Sequence, residues 1–170
     1  GMALDLDELI AITEDDDSRR YEQFKDLVSG MSVLDFGCGT GGFIKKIRGI
    51  ANKVHGIELE KRLYDHFKEN NLNVYKDLSE ISNKKYDIIT LFHVLEHIED
   101  PKSLLEKLKF LLNPNGQLII EVPNIDDALL SLYESIPFSE FNYWSPHLYY
   151  YSSVTLKKLI LKVDLKINYI

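Results

Sequence analysis

The amino-acid sequence predicts an α/β protein built on a doubly wound, mostly parallel sheet with helices on both faces. Two observations indicate this class. Short apolar runs typical of buried strands alternate with amphipathic segments of helical periodicity, and a glycine-rich turn directly follows the first apolar run. Parallel strands need long crossover connections, so each amphipathic segment is expected to link two strands by a right-handed crossover.

The elements follow one another in a regular order. Strands are expected over SVLDFG, KVHGIEL, NVYKD, YDIITLFHV, QLIIEVP and the final LKINYI. Helices are expected over SRRYEQFKDLV, GGFIKKIRGI and EKRLYDHFKENN. A further helix begins at Pro101, where Asp100 can cap its amides, and ends at NPNG, where Gly116 is expected to supply the turn. The last helix, VTLKKLILKV, can be capped by Ser152 or Ser153.

Length and composition bound the protein's class. The chain has 170 residues, one cysteine and a net charge of −7. This length suits one principal domain, and the acidic balance disfavours nucleic acid, whose binding relies on Lys and Arg. No apolar run reaches the ~18 residues that would span a bilayer, and an internal disulfide needs two cysteines. We therefore expect a cytoplasmic protein that does not insert into membranes.

The stretch SVLDFGCGTGGF, from Ser32 to Phe43, carries the first functional signal. Its glycines 37, 39 and 42 satisfy the dinucleotide-binding spacing, and Glu58 follows at the distance expected for a ligand of ribose hydroxyls. Asp35 argues against a dinucleotide, because a carboxylate at the strand end would repel a pyrophosphate and attract a cation. S-adenosylmethionine carries a sulfonium and an ammonium group and no phosphate, so it is the predicted cofactor.

The same residues resemble a known family, the class I S-adenosylmethionine-dependent methyltransferases. The resemblance runs from about Val33 to the C-terminus and rests on LDFGCGTGGF, GIELE, YDIITLFHVLEHIEDP and LLNPNGQLIIEVPN. It implies a Rossmann-like fold. We predict an N-terminal acidic segment and helix over residues 1–30 and a methyltransferase domain over 31–170. An aromatic-rich lid is expected at 124–151.

The resemblance also implies a cofactor site. Asp35, Gly37 and Gly39 would line the methionine moiety, and Glu58 would hold the ribose hydroxyls. The full predicted set is Asp35, Gly37, Cys38, Gly39, Glu58, Leu59, Asp77, Leu78, Phe92 and His93.

Within this set, Asp77 and Leu78 would flank the adenine, and Phe92 and His93 would lie beside the methyl group. Simpler interpretations stay open. Asp35 could cap a turn, and Asp77 depends on the register of a weak third strand. Glu58 could be a solvated strand end, and Cys38 is expected to fill the loop rather than act as a nucleophile.

Three histidines are the predicted catalytic residues: His93, His97 and His147. The first two lie in FHVLEHIED, directly after the fourth strand. His147 lies in HLYYYSSVTL, which is similar to a His-Leu-x-x-Phe-Ser-x-x-x-Leu element of small-molecule methyltransferases. A general base is needed only where the acceptor atom carries a proton that it does not lose readily, as the oxygen of a hydroxyl group does.

We predict a site without a metal, with Glu96 and His97 as the alternative ligands of a divalent cation. In the ubiquinone-pathway O-methyltransferases, which this segment resembles, carboxylates and a histidine hold such an ion. Here His93 stands where that pattern has its first carboxylate. In a second alternative, Glu96 and His97 have a structural role only. They form the polar N-terminal turn of a helix that leads to Asp100.

The expected function is methyl transfer to a small-molecule acceptor, with O- or C-methylation favoured. The alternatives are a catalytically degenerate cofactor-binding or scaffold protein, a methyltransferase with a macromolecular acceptor and an NAD-dependent oxidoreductase. The strand count ends at six, without the seventh antiparallel strand usual in the family. An unpaired sheet edge invites a second chain, which predicts a homodimer.

Overall fold

The sheet is five-stranded over the part of the chain that the structure describes. The structure, a computed structural model, describes residues 4–126 and 147–170. The strands are β1 (Ser32–Phe36), β2 (Lys53–Ile57), β3 (Val74–Tyr75), β4 (Tyr86–Phe92) and β5 (Leu112–Glu121). They lie in the order β3-β2-β1-β4-β5, and β1 pairs in parallel with both β2 and β4. The strand order therefore reverses at β1, which is the predicted doubly wound arrangement.

Five helices accompany these strands in the described ranges: α1 (Leu6–Val28), α2 (Gly42–Ile47), α3 (Tyr64–Glu69), α4 (Pro101–Leu111) and α5 (Ser153–Lys162). Short 3-10 helices cover Lys61–Leu63, Leu78–Ile81 and Leu95–His97. None of the helices described is long and apolar enough to cross a membrane.

The chain divides into two compact units. The first unit contains Gly1–Leu91 and Leu111–Ile119, and the second contains Phe92–Phe110 and Ile120–Ile170. The first unit holds most of the sheet, whose central strand β1 is buried at Val33, Leu34 and Asp35. The second unit holds most of α4 and all of α5. Most of the predicted lid, residues 127–146, lies outside the described residues.

Local sequence signals account for the helix ends. The Asp100 carboxylate accepts a hydrogen bond from the Ser103 amide at 3.0 Å, and Ser152 caps α5 through the amide of Thr155. Both predicted caps are confirmed. At the other end of the chain, α1 begins at Leu6, because Asp5 and Glu8 form a reciprocal capping box. The acidic stretch, expected to precede the first helix, is thus its first part.

Two predictions about the strands are wrong. The final LKINYI is not a strand; Tyr169 and Ile170 stay mostly exposed, with 94% and 58% of their surface in contact with solvent. Alternating apolar residues become a strand only where a neighbouring strand bonds their amides. NPNG was expected to form a turn before the fifth strand, but it lies inside β5. Gly116 is needed there because an added Cβ would lie 3.0 Å from the Tyr86 carbonyl oxygen.

A short parallel bridge closes the base of the segment between β5 and α5. Asn124 pairs with Tyr151, and the Ile125 amide donates to the Tyr151 carbonyl at 2.9 Å. Both residues belong to the second unit. The bridge therefore joins the residues that follow β5 to those that precede α5.

Candidate functional site

The glycine loop, residues 37–42, turns sharply between β1 and α2. Gly37, Gly39 and Gly41 have φ values of 76°, 52° and 78°. A side chain in this left-handed region is strained, whereas glycine adopts it freely. The density of glycines in the sequence is therefore explained by the turn itself.

Backbone amides of this loop are already hydrogen bonded within the protein. The Gly37 and Cys38 amides both donate to the Ile57 carbonyl, at 2.8 and 3.0 Å. The Gly39 amide donates to Oε2 of Glu58 at 2.9 Å. A diphosphate site needs such amides directed at the ligand. Here they bond to a carbonyl and to a carboxylate, which repels phosphate.

Asp35 lies buried at the carboxyl end of β1, with 2% of its surface exposed. Its partner across the strand pair is Thr90 on β4, whose hydroxyl donates to Oδ1 of Asp35 at 2.6 Å. Burial raises the pKa of Asp35 to about 7, opposed by the Thr90 hydrogen bond and reinforced by nearby Asp17 and Glu58. A buried carboxylate of this kind is stabilised by a cation that approaches it.

Sequence reasoning missed two charged residues next to the loop, Asp17 and Arg20 on α1. Both are buried, and their side chains are 3.8 Å apart. A Cβ added to Gly42 would lie 2.0 Å from Oδ2 of Asp17, so this carboxylate contacts the start of α2. The available signal was their helical spacing with Phe24 and Val28, which places all four on one face of α1. Burial raises the pKa of Asp17, and Arg20 opposes that shift.

The carboxylates around the loop outnumber the cations beside them. Asp17 and Glu58 add negative charge around Asp35, and Arg20 opposes them there. At Asp17 the opposing cations are Arg20 and Lys46. The site therefore favours a positively charged ligand over an anionic one.

The remaining predicted ligands of the first unit differ in their exposure to solvent. Both oxygens of Glu58 are engaged, Oε2 with Gly39 and Oε1 with the Glu60 amide at 2.9 Å. Leu59 is exposed. Asp77 is exposed and caps the 3-10 helix Leu78–Ile81, accepting hydrogen bonds from the amide and hydroxyl of Ser79 that lower its pKa. Cys38 is buried, and burial raises the pKa of its thiol, which agrees with a filling role.

In the second unit, His93 lies between two carboxylates. Its Nε2 is 3.2 Å from Oε1 of Glu121, and its Nδ1 is 3.4 Å from Oε1 of Glu96. The contact with Glu121, and after it the ion pair with Glu96, raise the pKa of His93 to about 9. Its φ of 54° is unusual for a side-chain-bearing residue, and its amide is held by the Glu121 carbonyl at 2.9 Å. Phe92, just before it, is buried.

Glu96, His97 and His147 form a second group in the same unit. One potential ligand atom from each residue lies within 4.8 Å of the others. The rings of His97 and His147 have centroids 4.8 Å apart. Glu96 is 1% exposed, and neither of its carboxylate oxygens accepts a hydrogen bond from a described residue. The structure thus brings together two predicted catalytic histidines and the predicted alternative metal ligand Glu96.

Comparison with known proteins gives the family. Residues 14–169 match the methyltransferase domain family, and the chain belongs to it. The chain is 34% identical over 131 residues to the mitochondrial ubiquinone biosynthesis O-methyltransferase of Candida albicans, covering 68% of this chain and 38% of that protein. It is 32% identical over 109 residues to the ubiquinone biosynthesis O-methyltransferase of Glaesserella parasuis, covering 56% of this chain and 46% of that protein. The chain therefore spans less than half the length of these two relatives.

Solved structures share the fold. A SAM-dependent methyltransferase from Archaeoglobus fulgidus superposes with a TM-score of 0.67 at 24% identity, covering 88% of this chain and 68% of that one. The YcgJ protein from Bacillus subtilis superposes with a TM-score of 0.68 at 15% identity, covering 88% and 69%. The predicted family and the predicted doubly wound fold are confirmed.

Proposed function

We propose that this chain binds S-adenosylmethionine and transfers its methyl group to a small-molecule acceptor. One observation carries the proposal. The buried Asp35 lies beside a glycine loop whose amides at residues 37–39 already donate hydrogen bonds within the protein. Family membership supports methyl transfer. The names of the two relatives favour oxygen over carbon as the methylated atom.

The cofactor residues of the first unit divide the ligand between them. When bound, S-adenosylmethionine supplies an electrophilic methyl group on a sulfonium. Asp35 accepts a hydrogen bond from its ammonium group while Thr90 keeps the carboxylate oriented. Glu58 accepts from the ribose hydroxyls with lone pairs not used by Gly39 and Glu60, because a carboxylate offers about four acceptor sites. Asp77 and Leu78 contact the adenine.

The protein is expected to promote methyl transfer mainly by aligning the acceptor with the methyl group and by excluding water. Positioning the acceptor can lower the activation free energy by up to about 7–11 kcal/mol relative to a bimolecular reaction in solution. The translational and rotational entropy of the acceptor is then lost on binding and not in the reaction step. When the acceptor is a hydroxyl group, a side chain must also act as a general base that takes up the hydroxyl proton. Both ring nitrogens of His93 already face carboxylates. Among the three predicted catalytic histidines, this favours His97 and His147 for contact with the acceptor.

Calorimetric titration of the purified chain with S-adenosylhomocysteine tests the proposal, with NAD⁺ as the parallel ligand. We expect one binding event with S-adenosylhomocysteine and a rise in the unfolding temperature, and neither with NAD⁺. No heat and no thermal shift at millimolar S-adenosylhomocysteine would contradict the proposal. Binding of NAD⁺ at comparable affinity would support the oxidoreductase alternative instead.

The predicted homodimer is proposed as well, because β5 is the last strand in the described sheet order. The mass of the chain in solution tests it. A species of monomer mass alone, at the highest soluble concentration, would contradict it.

A further inference from the structure

We infer that His66 is a positioning residue for the cofactor, an assignment that rests on the proposed function of the glycine loop. His66 lies on α3 and is buried, with 7% of its surface exposed. Its Nε2 lies 3.1 Å from the carbonyl oxygen of Thr40, inside the loop. Through this one hydrogen bond, a helix that contributes no predicted ligand holds the backbone beside which the cofactor is proposed to bind.

The surroundings of the His66 ring determine which of its nitrogens carries the hydrogen. The side-chain nitrogen of Asn70 donates to the His66 carbonyl at 2.9 Å, which orients the amide, and the same nitrogen lies 3.3 Å from Nδ1. Nδ1 therefore accepts, because an amide NH₂ group offers donors only. In the neutral ring Nε2 then carries the hydrogen and donates it to Thr40. The Lys45 ammonium, 3.4 Å from Nε2, has no lone pair and cannot replace that carbonyl as the acceptor.

The backbone that His66 holds is itself withdrawn from solvent. Thr40 is 7% exposed, and a buried carbonyl needs a donor within the protein. The next residue, Gly41, packs against the same region, because an added Cβ would lie 2.7 Å from Cδ1 of Leu72 and 3.8 Å from Cε1 of Phe67. Phe67 follows His66 on α3. Helix α3 and the residues after it thus support the loop by a hydrogen bond and by close packing.

Two residues therefore hold the loop through neighbouring positions of its backbone. Glu58, after β2, accepts from the Gly39 amide, and His66, on α3, donates to the Thr40 carbonyl. Glu58 is also proposed to contact the ribose, whereas His66 acts through Thr40. A binding site must be held to within about 0.5 Å of its productive geometry by supporting residues of this kind. Loss of the His66 hydrogen bond should therefore weaken cofactor binding.

Substitution by glutamine and by asparagine separates the two ring nitrogens. The side-chain nitrogen of glutamine can reach the position of Nε2, whereas asparagine is one methylene shorter and reaches only that of Nδ1. We expect His66→Gln to bind S-adenosylhomocysteine as the parent chain does. His66→Asn should bind it about 3–10-fold more weakly, the factor that corresponds to one neutral hydrogen bond. Equal affinities in the two variants, whether at the parent's level or below it, would overturn the inference.

His55→Gln is the control for a general effect of removing a buried histidine. His55 is buried in the same unit, and its Nδ1 lies 2.7 Å from the Tyr86 hydroxyl. Calorimetry well below the unfolding temperature should show unchanged S-adenosylhomocysteine affinity in this variant, even where its unfolding temperature is lowered. A loss of affinity equal to that in His66→Asn would overturn the inference.

Nitrogen-15 NMR of the unsubstituted chain gives a readout that depends on no variant. The two-bond proton–nitrogen spectrum should show the His66 hydrogen on Nε2, and S-adenosylhomocysteine should shift that signal. A hydrogen on Nδ1, or a signal that saturating S-adenosylhomocysteine leaves unmoved, would overturn the inference. Failure of the parent chain to bind S-adenosylhomocysteine would contradict the proposed function and this inference together. Normal binding by both the parent chain and His66→Asn would overturn this inference alone.

Discussion

The carboxylate of Glu58 accepts a hydrogen bond from the backbone amide of Gly39 at 2.9 Å. This contact joins the residue after β2 to the middle of the glycine loop, across 19 positions of sequence. It gives one side chain two tasks, because the carboxylate proposed to bind ribose also holds the loop in shape. The cofactor site is in this sense organised before a ligand arrives.

Replacing Asp35 by asparagine should abolish cofactor binding and stabilise the free protein. At pH 8 the substitution removes a buried charge while keeping an oxygen for the Thr90 hydroxyl. We expect a gain of about 1–3 kcal/mol in the free energy of unfolding, since each unit of pKa shift corresponds to about 1.4 kcal/mol. Thermal unfolding and S-adenosylhomocysteine calorimetry measure the two effects. A variant that binds normally would remove Asp35 from the site.

Asp87→Asn is the matched control for Asp35→Asn. The Asp87 carboxylate accepts from the Ser32 amide at 2.9 Å and from the Asn113 side chain at 2.7 Å, which lowers its pKa. We expect this variant to lose about 1–2 kcal/mol of stability and to bind S-adenosylhomocysteine unchanged. Loss of binding in both variants would show a general effect of removing a carboxylate from the sheet.

Cofactor affinity should rise with pH through neutrality. The pKa of Asp35 in the free protein is about 7, raised from 3.8 chiefly by burial, and the proposed contact with an ammonium group requires the ionised form. Below pH 7 binding must displace a proton, so affinity falls by up to about tenfold per pH unit. Calorimetry of S-adenosylhomocysteine at pH 6 and 8, in buffers of different ionisation enthalpy, measures both affinity and proton release. Equal affinity at both pH values would contradict the shift.

The same pKa gives the opposite trend for the stability of the free protein. The folded-state pKa of Asp35 lies above its unfolded value, so its favourable contribution is complete below pH 4 and is lost by pH 7. Asp17, Glu58 and Arg20 face the same group and remain in place in the variant. The difference in unfolding temperature between Asp35→Asn and the parent chain should therefore grow from pH 5 to pH 8. A difference in unfolding temperature that stays constant from pH 5 to pH 8 would show that the pKa of Asp35 is not raised.

Glu58→Gln should weaken S-adenosylhomocysteine binding by about 10–100-fold, as expected for losing a hydrogen bond to a charged group. The Glu58 carboxylate now accepts from two backbone amides, those of Gly39 and Glu60. A glutamine has one oxygen, so its NH₂ group would face one of these donors. The unfolding temperature should fall as well.

Asp77→Asn is the comparison for Glu58→Gln. Asparagine caps a helix about as well as aspartate, so the Ser79 amide keeps its acceptor. We expect stability close to that of the parent chain and a smaller loss of affinity than in Glu58→Gln, because asparagine keeps a side-chain oxygen that can accept from the adenine amino group. A large loss of affinity here, with Glu58→Gln unaffected, would reverse the roles assigned to the two acids.

Gly42→Ala should destabilise the protein by about 1–3 kcal/mol, as overpacking of a filled site does. The new Cβ would lie 2.0 Å from Oδ2 of Asp17, a buried side chain paired with Arg20. Gly49→Ala is the control, because nothing lies within 4 Å of its added Cβ. It should be neutral or slightly stabilising. Equal unfolding temperatures for the two variants would contradict the close contact between α1 and the glycine loop.

Residues whose role is local could be predicted from the sequence. The buried strand at Ile88 and Ile89, the cap at Asp100 and the cap at Ser152 each depend on a few neighbouring residues. The helical nature of the acidic segment was missed because its apolar face is sparse. Its capping box, Asp5 with Glu8, was nevertheless visible in the sequence.

Long-range pairings could not be predicted in the same way. The meeting of Glu96 with His147 depends on backbone hydrogen bonds between segments about fifty residues apart. The burial of Asp17 and Arg20 depends on how α1 packs against α2. The final apolar alternation indicated a strand, but a strand needs a neighbour, and no periodicity within LKINYI reveals whether one is present.

The bridge between Asn124 and Tyr151 bears on how proteins of this kind diverge. Because Asn124 and Tyr151 pair with each other, a change in the length of the connection between them need not displace β5 or α5. Doubling such a connection costs only about 0.6 kcal/mol in closure entropy. Relatives can therefore differ in the length of this connection while they keep the same sheet and the same helix α5.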